Sequence, residues 1–257
     1  MPDPERSNTE FYVGYLPMPR GYWQLLVVGV PILVAASCLI AVAVSARQKD
    51  PGSGQWSDAT TTLEGVAIEE PYAILRVPSS NTSGVETVLL VEEGKFGAKQ
   101  RIRAFNRQAV SVKGTILERA GRRMLELVAG EQAITHAEWP TAKLDGMSQL
   151  PSQPLGKATL SGEIIDPKCY LGAMKPGEGK THKACATLCI SGGIPPMFVT
   201  AGVNGEKQFL LLTTADGRAI NDAVLPFVGD PVEITGEVVR TGDLAVLQIN
   251  PADIRRL

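Results

Sequence analysis

Residues 110–117 read VSVKGTIL and residues 232–239 read VEITGEVV. Both runs alternate apolar and polar residues, which is the period of a strand with one buried face. Each run also contains a glycine, Gly114 or Gly236, inside the alternation, where glycine marks a bend or a bulge. Each run leads through a glycine-containing turn to another apolar strand, so the sequence predicts the same bent hairpin twice.

The residues around these two hairpins match as a diverged repeat. Each half opens with a similar pentapeptide, continues with an apolar run and closes with the second hairpin strand. The matched pairs are TLEGV at 62–66 with TLSGE at 159–163, 88–91 with 209–212, and 124–128 with 244–249. Short strands with bends near both ends are typical of an OB-like barrel, and a generic β-sandwich is the alternative. We predict a mostly β fold with two tandem OB-like β-barrels, at 59–139 and 157–257, joined by a linker at 140–156.

An uncharged segment upstream of the repeat predicts one transmembrane helix at 23–46. No charged residue lies between Arg20 and Arg47, and residues 25–44 are almost all apolar. Twenty such residues, at about 1.5 Å each, span a hydrocarbon core of about 30 Å. A cleaved signal peptide is an alternative, although the apolar run is long for one. A lipoprotein signal at Cys38 is another, although the apolar run continues past that cysteine.

The predicted helix separates a short tail at 1–22 from a polar linker at 47–58 and the barrels beyond it. Two basic residues lie before the span, and two follow it closely. The positive-inside rule therefore gives a near tie. We expect the tail in the cytoplasm and the barrels outside it, as the cysteine pattern of the second barrel favours.

The second barrel carries an insertion at 166–196, which contains three of the four cysteines of the chain. Thr181 is a candidate N-cap and Gly192 a helix stop, so a short helix is predicted between them. Three residues on this helix, at i, i+3 and i+7, would share one face, namely His182, Cys185 and Cys189. The sequence thus predicts a concentration of metal-ligating side chains on one helix.

Cys169 precedes this helix, and three explanations of the combined set stay open. Thiolates and an imidazole suit a transition metal such as zinc, copper or iron, with Cys169, His182, Cys185 and Cys189 as ligands. Alternatively, a disulfide from Cys169 to Cys185 or Cys189 would attach the insertion to the barrel, worth about 3 kcal/mol. Simple burial of the thiols is the third explanation.

The segments GEIIDPKC at 162–169, HKACA at 182–186 and GIPP at 193–196 carry a resemblance. The region of about 159–250 resembles a poorly characterised group of bacterial cell-envelope proteins. Members of that group have a small OB-like β-barrel with a Cys…His-x-x-Cys-x-x-x-Cys insertion and a final V-x-[IV]-x-G-x-[VI] strand. The resemblance implies a bacterial envelope protein, here single-pass in the cytoplasmic membrane with a periplasmic soluble region. It implies no activity.

Basic residues are concentrated in the first barrel. Residues 95–123 include nine Lys or Arg and one acidic residue, Glu118. A basic OB-like barrel could bind nucleic acid, but the anchor and the scarcity of aromatic residues oppose this. Anionic lipid headgroups or an acidic protein partner are the expected contacts, and a simple solvated face explains the pattern equally well.

Taken together, these patterns predict a membrane-anchored accessory or assembly subunit of a membrane redox complex. Its expected partners are the lipid bilayer and other subunits of that complex, and nucleic acid is not expected. The alternative is a partner-binding module whose cysteines form a disulfide. An enzyme with Cys185 or Cys189 as nucleophile and His182 as base is the weakest hypothesis, because the sequence shows no acidic residue to orient the base. We therefore predict no catalytic residues.

Overall fold

The computed structural model describes residues 20–47, 54–79, 84–202 and 206–257. Helix α1 (Arg20–Arg47) belongs to one compact unit, and the chain from Gly52 onward forms a second. Residues 21–47 of α1 have a mean hydropathy of 2.8 in their most apolar window, and their side chains are exposed all round. A helix that is apolar on every face suits a lipid environment, and α1 is long enough to cross a membrane.

The first barrel is built from five strands with a sixth at its margin. Its elements are β1 (Gln55–Ile68), β2 (Ile74–Pro78), β3 (Val85–Val91), α2 (Lys99–Ile102), β4 (Ala109–Arg119), β5 (Arg122–Leu127) and β6 (Ile134–His136). The strand order is β1-β2-β3-β5-β4, and β4 pairs with β1 to close the barrel. Strands β3 and β5 run parallel, whereas the other pairs are antiparallel.

The second barrel repeats this arrangement. Helix α3 (Thr141–Ser148) leads into it, and its elements are β7 (Ser152–Ile165), α4 (Lys183–Ser191), β8 (Met197–Ala201), β9 (Lys207–Thr214), α5 (Asn221–Val224), β10 (Pro231–Thr241) and β11 (Leu244–Arg256). The closed order β7-β8-β9-β11-β10 matches the first barrel strand for strand, including the parallel pair β9 and β11. In both barrels a short α-helix followed by a 3-10 turn connects the third strand to the fourth. The predicted fold of two similar OB-like barrels is confirmed.

The glycines that marked the repeat lie where strands approach closely. A Cβ on Gly114 would collide with the carbonyl oxygen of Glu126, and one on Gly236 with that of Gln248. Gly65 and Gly162, in the two opening strands, meet facing carbonyl oxygens in the same way. Only glycine fits at such positions, which is why the repeat keeps it.

The strands extend beyond the limits that the sequence indicated. Strand β1 begins at Gln55, inside the segment predicted as the linker 47–58, and β7 begins at Ser152, inside 140–156, which also contains α3. These extensions pair with the ends of β4 and β10, outside the barrel cores. Their side chains are exposed, so they lack the apolar alternation that identifies a strand in sequence.

The two barrels also share a core. The interior of the first barrel contains Leu75, Leu90 and Leu125, and that of the second contains Phe198, Leu212 and Ile234. A third cluster combines side chains of both barrels with the insertion, including Leu89, Met124, Tyr170, Leu171, Phe209 and Leu211. Successive residues of a strand point to opposite sides, so Leu90 fills the first barrel while Leu89 packs against the second. The cysteine insertion lies in this shared cluster.

Candidate metal centre

The first part of the insertion is a tight turn that begins directly after β7. Asp166 is fully buried, and its Oδ1 accepts a hydrogen bond from the backbone N–H of Cys169 at 2.9 Å. The backbone N–H of Tyr170 donates to the carbonyl of Asp166 at 3.2 Å. A buried carboxylate that caps a turn in this way fixes the backbone around it. Cys169 therefore enters the cluster from a rigid turn.

Helix α4 supplies the other two cysteines. His182 is its N-cap residue and Gly192 follows its last residue, so the helix starts one residue later than the predicted cap at Thr181. Cys189 is buried and Cys185, one turn earlier, is half-buried. The helix ends as predicted, and its cysteines face the turn that carries Cys169.

The three sulfur atoms converge. Those of Cys169 and Cys185 are 3.7 Å apart, and all three, with Cys189, lie within 4.8 Å of one another. A disulfide requires about 2.05 Å between sulfurs, and all three cysteines are free, so the alternative disulfide is not formed in this structure. Thiolates bound to one metal ion at about 2.3 Å would lie about 4 Å apart. The observed separations suit a single bound ion, and they are also those of hydrogen-bonded thiols.

A lysine of the first barrel completes this cluster. The ammonium of Lys95 lies 2.7 Å from the sulfur of Cys185 and 3.7 Å from that of Cys189. Lys95 belongs to the loop between β3 and α2, which contacts the end of α4 backbone to backbone. The N–H of Gly97 donates to the carbonyl of Gly192 at 3.0 Å. The candidate centre is therefore assembled from both barrels, with a cation of the first above the thiols of the second.

The thiols and the lysine influence one another's protonation. The pKa of Cys189 is lowered chiefly by a hydrogen bond from the Cys169 thiol; burial and Asp166 oppose this, and Lys95 supports it. The pKa of Cys169 is raised, first because it donates that bond and then because of burial and Asp166. The pKa of Lys95 is raised chiefly by its hydrogen bond to Cys185, against the effect of burial. Of these two thiols, Cys189 therefore ionises before Cys169.

His182 lies beside the three sulfurs in a second, overlapping group. Its Nε2 is 2.9 Å from Oδ2 of Asp166, and both side chains are buried. The possible ligand atoms of Asp166, Cys169 and His182 lie within 4.8 Å of one another. The four predicted ligands thus fall into two groups. One group is the three thiols, and the other is Cys169 with His182 and Asp166. Cys169 belongs to both groups.

The predicted basic stretch of the first barrel is largely neutralised. Five of its nine basic residues form ion pairs: Lys99–Glu70, Arg101–Glu92, Arg103–Glu69, Arg122–Asp243 and Arg123–Glu86. Arg119 is buried, with its guanidinium 3.9 Å from the centre of the Tyr170 ring, and Lys95 faces the thiols. Within the described residues, Arg107 and Lys113 are left without an ion pair. Binding to anionic lipids or to an acidic partner stays a prediction.

Comparison of the chain with protein-family models, with curated proteins and with solved structures finds no match in any of the three. The functional assignment therefore depends on the geometry of the site.

Two residues of this site, Asp166 and Lys95, were not predicted from the sequence. Asp166 lies three residues before Cys169, a spacing that allows a side-chain cap of the turn, and that local signal was present. Lys95 is 90 residues from Cys185 in the sequence and lies among other basic residues. Only the packing of one barrel on the other brings it to the thiols.

Proposed function

We propose that this protein is a membrane-anchored accessory or assembly subunit of a membrane redox complex, and that it holds a transition-metal ion between Cys169, Cys185 and Cys189. The observation that carries the proposal is the convergence of three free thiols to separations that suit one metal ion. Clustered thiolates repel one another unless a cation relieves the repulsion. Thiolate ligands select soft or borderline ions such as zinc, copper and iron.

The environment of the cluster favours metal binding over nucleophilic catalysis. A catalytic cysteine must reach a substrate, but Cys169 and Cys189 are 4% and 1% exposed. Asp166 provides the acidic partner for His182 that the sequence did not show, but the imidazole is itself only 3% exposed. Buried thiols with a half-buried edge at Cys185 suit an ion that enters and then stays enclosed.

The proposal places the protein in a bacterial cytoplasmic membrane, with the barrels in the periplasm. Helix α1 supports the anchoring by its length and composition, and the compartment is the one expected from the sequence resemblance. Protease added to intact spheroplasts should digest the barrels. Complete protection of the barrels would show that they face the cytoplasm.

Metal content tests the central claim. The full chain, purified without oxygen in detergent, should contain about one metal ion per molecule. Substitution of any cluster cysteine, Cys169→Ser, Cys185→Ser or Cys189→Ser, should reduce binding strongly. Cys38→Ser is the matched control, because Cys38 lies in α1, and it should retain the metal.

Thiol counting in denaturant distinguishes the remaining outcomes. One free thiol among the three, with no metal, would support the partner-binding module with a disulfide. Three free thiols and no metal under any loading condition would contradict metal binding altogether.

The accessory role predicts that a cell carrying only the Cys169→Ser form has a membrane oxidoreductase with reduced metal content. Normal metal content in that cell would refute the role.

A further inference from the structure

We infer that the three-thiol cluster is selective for a soft monovalent ion, copper(I), and that Lys95 sets this selectivity. The inference rests on the proposed function, because it names the ion for the same site. Its two arguments are the number of protein ligands and the fixed positive charge beside them.

The number of ligands favours a three-coordinate ion. Three sulfurs converge within 4.8 Å, and His182 belongs to a different group, with Asp166 and Cys169. The ring of His182, whose Nε2 is 2.9 Å from Asp166, offers no nitrogen within 4.8 Å of all three sulfurs. Structural zinc sites almost always have four protein ligands in a tetrahedron. Copper(I) accepts soft thiolate ligands and does not need a fourth donor, so the protein offers what copper(I) requires and less than structural zinc requires.

The charge of Lys95 adds discrimination. Its ammonium lies 2.7 Å and 3.7 Å from two of the sulfurs, so it is close to any ion bound among them. Coulomb repulsion scales with the charge of the ion. A divalent ion is therefore penalised twice as much as a monovalent one at the same position. The thiolates also attract a divalent ion twice as strongly, and the lysine cancels part of that advantage, so its charge lowers the preference of the cluster for zinc(II) over copper(I).

The lysine is held near the cluster by its own loop. The ammonium of Lys168 donates to the carbonyl oxygens of Glu92 and Gly94 at 2.8 and 2.6 Å, just before Lys95. On the other side, Gly97 is bonded to the backbone of Gly192, directly after α4. The backbone that carries Lys95 is therefore fixed on both sides, which keeps its ammonium within reach of the thiols. The charge is thus part of the site.

Competition experiments on the full chain in detergent, without oxygen, test the inference. Copper(I) affinity is measured against a copper(I) chelator, and zinc(II) affinity against a zinc indicator. Lys95→Met removes the charge and keeps the length of the side chain. Lys99→Met is the matched control, because Lys99 lies four residues away and pairs with Glu70 instead. Lys95→Arg keeps the charge and should preserve selectivity.

The wild-type chain should bind copper(I) with three sulfur neighbours in X-ray absorption. Lys95→Met should raise zinc affinity relative to copper(I) affinity by at least about tenfold, whereas Lys99→Met and Lys95→Arg should leave the ratio unchanged. If Lys95→Met does not fold by circular dichroism, Lys95→Gln replaces it.

The outcomes separate this inference from the proposed function. A chain that binds no metal refutes both. A chain that binds four-coordinate zinc in preference to copper(I) keeps the proposed function and overturns the choice of ion. A ratio that Lys95→Met leaves unchanged, or that Lys99→Met shifts equally, overturns the role of Lys95.

Discussion

Gly192 shows how a single hydrogen atom in place of a side chain lets the two barrels meet. The backbone carbonyl oxygen of Lys95 occupies the position that a Cβ on Gly192 would need. The φ of Gly192 is −77°, which any residue can adopt. Glycine is therefore required here for space and not for backbone conformation.

We predict that Gly192→Ala destabilises the chain by about 1–3 kcal/mol, because a methyl group would push apart two backbone segments that cannot rotate away. Denaturant unfolding measures the change. Gly146→Ala in α3 is the control, since a Cβ there meets nothing within 4 Å, and it should stabilise the helix by up to about 1 kcal/mol. Equal effects of the two substitutions would contradict the steric explanation.

At this scale the sequence predicted ligands better than their surroundings. His182, Cys185 and Cys189 follow from the period of one short helix and Cys169 from the loop before it, and the structure brings the three cysteines together. The contact between His182 and Asp166 was not predicted, because the sequence does not show that the Asp166 carboxylate is buried. The position of Lys95 depends on a tertiary contact that no local pattern records.

Among the elements, the turn before α4 connects the second barrel to the first through Lys168. This lysine is 4% exposed, and its ammonium lies 2.5 Å from Oε2 of Glu126 in β5. Its hydrogen bonds go to the carbonyl oxygens of Glu92 and Gly94. The contact with Glu126 is therefore an ion pair without hydrogen-bond geometry. A buried charge of this kind is stable only while its partner remains.

We predict that Lys168→Met destabilises the chain by about 3–5 kcal/mol, because it leaves the Glu126 carboxylate buried and unpaired. The double variant Lys168→Met with Glu126→Gln should recover part of that loss by removing the second charge. Lys207→Met is the matched control, because its ion pair with Glu178 is more exposed, and it should cost less than about 1 kcal/mol. Thermal unfolding followed by circular dichroism compares the variants. A double variant no more stable than Lys168→Met would show that the unpaired charge is not the cause.

The elements that could be predicted are those with a strong local pattern. The bent hairpins at 110–117 and 232–239 identified both barrels, because their glycines and alternation are consequences of strand geometry. The solvated extensions of β1 and β7 and the helix α3 escaped detection. The strand extensions are held by backbone pairing and α3 by tertiary packing. All three are polar in composition, so no apolar pattern indicates them in the sequence.

At the scale of the whole molecule, the shared apolar cluster packs the two barrels into one compact unit from Gly52 onward. Tyr72, between β1 and β2, reaches into the second barrel. Its hydroxyl donates to the carbonyl of Leu212 at 3.0 Å and accepts from the N–H of Ile220 at 2.9 Å. Burial raises the pKa of Tyr72 far above its usual value, so the hydroxyl stays neutral and able to donate at any physiological pH.

We predict that Tyr72→Phe costs about 1–3 kcal/mol, because two buried backbone groups lose their partner. Unfolding of the region from Gly52 onward should stay a single transition, coincident by tryptophan fluorescence and circular dichroism. Tyr170→Phe is the control, since among the described residues the buried hydroxyl of Tyr170 makes no hydrogen bond of normal geometry and has only Lys207 near it. Two separate transitions in the unsubstituted protein would show that the barrels fold independently.

The shared cluster also has a consequence during synthesis. Strands of the first barrel that contribute Leu89 and Met124 leave the ribosome well before Phe209 and Leu211, which cover them. Chains grow at about 5–20 residues per second, so this apolar face waits for its cover on the order of ten seconds. During this time the uncovered face can associate with other apolar surfaces, including those of neighbouring nascent chains. A cell that makes this protein thus has reason to keep a chaperone bound to the first barrel until the second has emerged.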